Sequence, residues 1–326
     1  MPDLTMVEAI CLALNRAMED DPSIVVFGED VGIDGGVFRA TDGLLQRFGS
    51  SRVIDTPLAE TGIAGVAIGL ATQGFKPVAE IQFMGFIYPT IDQLVNHASR
   101  LRNRTRGRLS CPMVLRAPYG GGVRAPEHHS ESTEAMLAHI PGLRVVVPSS
   151  PARAYGLLLA AIRDPDPVVI LEPKRLYRAS REGVVDDGKA LPLDRGRILR
   201  EGTDVTLVSW GAMIQDTCNA AKLMARSGIE CDVIDLETLK PIDTSLVLAS
   251  VRKTGRCVIV HEAALTAGLG AEIAATVADG GLTSLLAPVK RVTGYDTVMP
   301  LPRLERHYLP STARILEAVT EVMKFA

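Results

Sequence analysis

Glu60, Glu29 and the pair His128 and His129 are the residues whose types and settings could do chemistry. Glu60 stands in VIDTPLAETGIAG, where an apolar strand ends at Thr56 and Pro57, because proline cannot continue a sheet ladder, and a helix begins. A strand end beside a helix start is a usual ligand position, although from spacing alone the plainer reading is favoured, an acid complementing the helix dipole. Glu29 is the first acid of GEDVGIDGG, an acidic, glycine-rich loop that follows the apolar strand IVVF. The histidines lie in YGGGVRAPEHHSES, with three consecutive glycines and acids close by. Glycine triplets permit unusual backbone angles, and histidine titrates near neutrality, which suits proton transfer.

The elements that must position these groups follow from periodicity. The run from Glu60 to about Gly74 is a helix of small and apolar residues with no polar face, and Gly62, Gly65 and Gly69 each cost roughly 1 kcal/mol relative to alanine. Close approach of another backbone is the reason to expect them, so the helix is predicted to lie in a buried interface. Strands are expected over 24–31, 53–56, 78–83, 112–118, at RVVV and at PVVILEP, with helices over 91–104 and 152–162 between them. This alternation predicts a mostly parallel sheet flanked by helices over residues 1–180. The charged, turn-rich span 181–202 is read as a linker. A second alternation over 203–326 predicts a smaller α/β domain with helices near 214–226, 245–253, 269–278 and from 312.

Composition sets limits. At 326 residues, 47% hydrophobic and a net charge of -3, the chain can bury a large core and is too long for one typical domain. No run reaches the ~18 apolar residues of a membrane span, and the first helix carries acids where a secretory signal would be basic. A cytoplasmic protein without a membrane association is expected. The five cysteines are far apart and never in a CxxC pair, so they read as small core residues. Arg100, Arg102, Arg104, Arg106 and Arg108 form a basic run without interleaved aromatics, and nucleic acid is not expected as a partner.

TPLAETGIAGVAIGLATQGFKPVAEIQF, IDQLVNHASRLRNRT, GGGVRAPEHHSES, AAIRDPDPVVILEPKRLYR, DLETLKPID and TGRCVIVHE together resemble the beta subunit of a two-chain 2-oxo acid dehydrogenase. That is the thiamine diphosphate-dependent decarboxylating component of a multienzyme complex, and the likeness covers nearly the whole chain in order. It implies a thiamine-pyrimidine-binding domain followed by a smaller transketolase-like α/β domain. Glu60 matches the glutamate that hydrogen-bonds the cofactor's aminopyrimidine ring nitrogen, where a carboxyl can share a proton when burial disfavours its charged form. By the same likeness Phe86 contacts the pyrimidine, Leu58, Ala59 and Gln82 line the site, Ile87, Tyr88 and Pro89 adjoin it, and Glu29 faces the cofactor. His129 matches a histidine assigned to proton transfer in the reductive acylation of lipoamide, with Glu131 where the family commonly has glutamine.

AIRDPDP resembles a loop in which some members bind potassium through backbone carbonyls, here those of Ala161, Ile162, Asp164 and Asp166. An ordinary helix end stopped by Pro165 and Pro167 accounts for it equally well. The chain lacks the GDG motif with which single-chain thiamine enzymes hold magnesium and diphosphate. The likeness therefore implies that an alpha subunit supplies magnesium, in an assembly of two alpha and two beta chains that also meets a lipoyl acyltransferase. For substrate, Gly85 to Tyr88 and EHHSES look closer to branched-chain members, with pyruvate or acetoin dehydrogenase beta subunits as alternatives. A non-catalytic assembly subunit is the rival of another class. A nicotinamide enzyme lacks a proper GxGxxG after a strand, and a transketolase-like transferase would need a diphosphate domain that this length leaves out.

Overall fold

The structure, a computed structural model, describes residues 1–325, which divide into two compact units. The first comprises Met1–Tyr119 with Met136–Leu193. Helix α1 (Met6–Asp20) starts at a capping box in which Thr5 and Glu8 satisfy each other's backbone amides, and it buries Ile10, Leu14 and Ala17. Strands β1 (Ile24–Gly28), β2 (Val53–Asp55), β3 (Lys76–Glu80), β4 (Val114–Tyr119), β5 (Arg144–Val146) and β6 (Val168–Pro173) pair in parallel in the order β5-β6-β4-β3-β1-β2. The uninterrupted apolar runs of β1 and β6 are buried on both faces, as a covered parallel sheet requires. Helix α2 (Glu60–Thr72) connects β2 to β3, and α5 (Pro151–Arg163) connects β5 to β6. Register sets Gly28 against both Asp55 and Glu80, so the outgoing ends of three strands lie abreast, and Glu80 against Arg116 in the middle of β4.

The helix expected over 91–104 is broken. It forms α3 (Ile91–Asn96), a 3-10 turn at Ala98–Arg100 and α4 (Leu101–Arg104), with His97 at φ -125°, ψ -67°. The backbone of Gly142 presses on this break so closely that a Cβ there would lie 2.3 Å from the Ser99 carbonyl. The Arg104 guanidinium donates to the freed Asn96 carbonyl. Apolar periodicity ran through the break, because Leu94, Ala98 and Leu101 all still face inward to some degree.

The second unit comprises Gly120–Ala135 and the chain from Asp194 onward. Its five-stranded sheet has the order β11-β10-β8-β9-β7, from β7 (Arg197–Arg200), β8 (Val205–Ser209), β9 (Cys231–Asp235), β10 (Cys257–Ala264) and β11 (Lys290–Gly294). Only β7, at the edge, runs antiparallel. Helices α6 (Met213–Ala225), α7 (Thr244–Thr254), α8 (Leu269–Gly281) and α9 (Thr312–Val322) pack against it. Two boundaries differ from the sequence reading. Strand β7 lies inside the span read as linker, and the glycine loop, read with the first domain, packs with the second unit. Among the described residues no helix is long and apolar enough to cross a membrane.

Candidate active site

In the first unit two carboxyls meet at the ends of β1 and β2. Gly28 closes β1 so near its neighbour that a Cβ would stand 2.6 Å from the Glu80 carbonyl, and its own carbonyl accepts the Thr56 amide at 2.9 Å. The exit of β2, and with it the start of α2, is thereby drawn beside Glu29. Glu29 is 6% exposed and its Oε1 has no hydrogen-bond partner. Burial raises its pKa, and the charges of Glu60 and Asp30 raise it further. Glu60, in the first turn of α2, is half-buried. A buried carboxyl beside other acids keeps its proton more readily, so Glu29 is set to retain one or to receive a donor.

Asp55 fixes the loop that follows Glu29, its Oδ1 accepting the Gly32 amide at 2.5 Å and its Oδ2 the Ile33 amide at 3.1 Å. Sequence reasoning missed this anchor, for which the only signal was an acid at a strand end. Beyond β3, Gln82 donates from Nε2 to Asp30 Oδ2 at 3.1 Å, and the chain turns through a 3-10 segment, Met84–Thr90. Thr61 Oγ1 ties this segment to α2 by donating to the Pro89 carbonyl at 3.1 Å. Phe86 is half-buried and meets Phe83 edge to face, centroids 6.0 Å apart. Tyr88 and Pro89 are exposed, as are Leu58 (73%) and Ala59. The structure thus brings Glu29, Glu60, Leu58, Ala59, Gln82, Phe86, Tyr88 and Pro89 into one region. Ile87 is fully buried, so its side chain holds the turn from below.

A buried charge network braces this region. Arg116 on β4 forks onto Glu172 on β6 (2.7 and 3.0 Å) and reaches Glu80 on β3 (2.8 Å), while the Tyr177 hydroxyl donates to Glu172 at 2.6 Å. Burial raises the Glu80 pKa, which the Arg116 charge partly opposes. The Tyr177 ring packs on Phe38 (5.1 Å), and Phe38 on Phe83 (5.5 Å), so a file of rings runs from the network to Phe86.

His129 belongs to the second unit, half-buried in a 3-10 turn at Glu127–His129 whose start is set by Pro126. The His129 amide donates to the Pro126 carbonyl at 2.9 Å, and Gly120 donates to the Glu131 carbonyl at 2.9 Å, which joins the two limbs of the loop. His128 is exposed. Glu134, which follows the loop, is fully buried, and burial, reinforced by the Glu262 charge, pushes it up to about 7. Nothing in the sequence marked Glu134 apart from other first-turn acids.

At the end of α5, the Ala161 carbonyl accepts the Asp164 amide at 3.2 Å, and Asp164 Oδ1 accepts the Asp166 amide at 2.8 Å. Asp164 pairs with Arg144 (2.9 Å) and Asp166 with Arg102 (2.7 Å). With those carboxylates engaged, a cation here would rest on backbone oxygens. Among the described residues no group of three or more His, Cys, Asp or Glu side chains is arranged to hold a metal ion.

Comparison with known proteins extends the geometry. Residues 3–180 match the family profile of the transketolase pyrimidine-binding domain, and residues 194–315 that of the transketolase C-terminal domain. The pyruvate dehydrogenase E1 component subunit beta of Acholeplasma laidlawii is 48% identical over 324 residues, 99% of each chain. The subunit of the same name from Bacillus subtilis is 46% identical over 325 residues, 100% of each. Among solved structures, a split-gene transketolase described as an inactive beta4 tetramer aligns with a TM-score of 0.82 at 26% identity over 99% of both chains. A transketolase from Pichia stipitis shares the fold, with a TM-score of 0.72 at 14% identity over 100% of this chain and 46% of that one.

Proposed function

We infer the reaction from the family: this chain belongs to the E1 beta subunits of the 2-oxo acid dehydrogenases, thiamine-dependent enzyme components built from a transketolase pyrimidine-binding domain and a transketolase C-terminal domain. The observation that carries the assignment of the site is the acid pair, the buried Glu29 with its unpartnered Oε1 beside the half-buried Glu60. An aminopyrimidine offers such a pair both a ring nitrogen able to share a proton and an amino group able to donate, so the residues fit that half of thiamine diphosphate. When bound, the cofactor supplies a nucleophilic thiazolium carbon and an electron sink for decarboxylation.

Glu60 holds the proton at the pyrimidine ring nitrogen, and Glu29, whose own pKa is raised by burial and by the Glu60 charge, stands beside it as a second carboxyl facing the ring. Phe86 supplies an aromatic wall, Gln82 a polar edge, and Leu58, Ala59, Tyr88 and Pro89 exclude water once a second chain covers them. His129 moves a proton during acyl transfer to the lipoyl group. An alpha chain supplies magnesium and the diphosphate site, two alpha and two beta chains make the working unit, and a lipoyl acyltransferase accepts the product. The relative described as an inactive beta4 tetramer supports this dependence on a partner. Any potassium would sit on the carbonyls at 161–166.

Pyruvate is the substrate we propose. The preference for branched-chain acids suggested by Gly85 to Tyr88 finds no support among the curated relatives quoted above, which are named for pyruvate. Assay of the reconstituted alpha-beta assembly on pyruvate and on 3-methyl-2-oxobutanoate tests this, and a higher kcat/KM on the branched acid would reverse it. In the same assembly Glu60→Gln should lower decarboxylation by about 10²-fold or more without dissociating the chains. Full activity of that variant would leave only an assembly role, and decarboxylation by the lone beta chain would overturn the division of labour.

A further inference from the structure

The glycine loop is held in place by carboxylates that follow it by more than a hundred residues. The Gly121 amide donates to Glu262 Oε2 at 2.8 Å, the Gly122 amide to Glu305 Oε1 at 2.8 Å, and the Arg124 amide to both Glu305 oxygens at 3.3 and 3.2 Å. Both carboxylates are only 4% exposed. Bonds from backbone amides to a carboxylate are charge-assisted, and burial strengthens them. Two of the three glycines are called for by the backbone, Gly120 at φ +81° and Gly122 at φ +90°, and a Cβ on Gly120 would in addition stand 2.8 Å from Glu262 Oε2. Arg124 is held at φ +58°, left-handed for a side-chain-bearing residue, with its amide aimed at Glu305. Such a conformation costs about 1 kcal/mol or more when nothing holds it, so the carboxylate determines the path of the loop. That path leads into the turn that carries His129, which is closed behind by the buried Ser130, whose hydroxyl donates to the Ala125 carbonyl.

We propose that Glu262 and Glu305 are positioning residues for His129, two carboxylates that fix the leading limb of its loop and so set where the imidazole stands during acyl transfer. This rests on the role given to His129 above. It also accounts for the HE pair of TGRCVIVHE, whose glutamate the cofactor site leaves unused.

The test uses the assembly reconstituted with its alpha chain and two assays: decarboxylation read with a soluble redox dye, and acylation of an isolated lipoyl domain. His129→Ala is the control. Glu262→Ala and Glu305→Ala are expected to lower lipoyl acylation tenfold or more while dye-linked decarboxylation stays within twofold. Trypsin should cleave after Arg124 faster in Glu305→Ala, and Glu305→Gln, which keeps an acceptor oxygen, should recover most of the acylation. If an alanine variant fails to assemble, the two Glu→Gln variants carry the same comparison and should show a smaller, equally selective loss. Unchanged acylation in the glutamate variants, when His129→Ala has lost it, would overturn the anchoring alone. So would a parallel fall of both assays, which a merely structural role produces. Intact acylation in His129→Ala would overturn the role of His129 and this proposal with it.

Discussion

Two buried residues of the second unit titrate in opposite directions. Glu134 has its folded pKa raised to about 7 by burial and by the Glu262 charge, so its contribution to stability is complete below about pH 4.5 and is lost as pH rises through 7. His261 is fully buried against the face of Trp210 with neither ring nitrogen hydrogen-bonded. Burial, with the Arg291 charge, lowers it to about 4, so its contribution is complete above pH 6.5 and is lost as pH falls toward 4. Each shift corresponds to about 3 kcal/mol in the limit, and across the interval from pH 4.5 to 6.5 the two oppose each other. Glu134→Gln should therefore stabilise the chain at pH 8 by up to ~3 kcal/mol and shift little at pH 4.5. Denaturant midpoints at the two pH values measure this, and an equal change at both would refute it. Residues of this kind were illegible in the sequence, since burial depends on neighbours such as Glu262, far along the chain. The place of Glu60 at the start of a helix after a strand was legible, because Pro57 and the run of small residues mark both boundaries locally.

Among elements, the sheet of the first unit depends on Arg116. It joins β3, β4 and β6 through Glu80 and Glu172, all of them almost wholly buried. Replacing Arg116 with methionine leaves two carboxylates uncompensated and should cost about 3–5 kcal/mol in urea unfolding, far more than an exposed ion pair is worth. Tyr177→Phe removes one bond to a charged acceptor and should cost about 1.5–3 kcal/mol, while the ring stays against Phe38. Most strands and helices could be read from apolar runs and periodicity, because β1, β6 and α5 each bury what their patterns say. The helix over 91–104 could not. Its break answers to Gly142, and a local pattern carries no record of so distant a backbone.

For the molecule as a whole, the open face of α2 matters most. Thr61, Gly62, Val66, Gly69 and Gln73 are exposed, and a Cβ built on Gly69 meets nothing within 4 Å. Among the described residues no other backbone closes on Gly62, Gly65 or Gly69, so the interface expected from these glycines would have to be made with another chain. Gly69→Ala should stabilise the lone beta chain by up to ~1 kcal/mol, whereas Gly69→Leu should leave its folding intact and impair assembly. Thermal melting of the lone chain and sedimentation of the mixture with alpha read the two effects separately. An assembly indifferent to Gly69→Leu would mean that the face has another use.

The long span between the glycine loop and its anchors has a consequence for synthesis. Gly122 emerges from the ribosome 183 residues before Glu305, a delay on the order of ten to forty seconds at roughly 5–20 residues per second. Throughout that interval Gly122 and Arg124 lack the carboxylate that later binds them, so the newborn loop stays open to proteases until the end of the chain has been made.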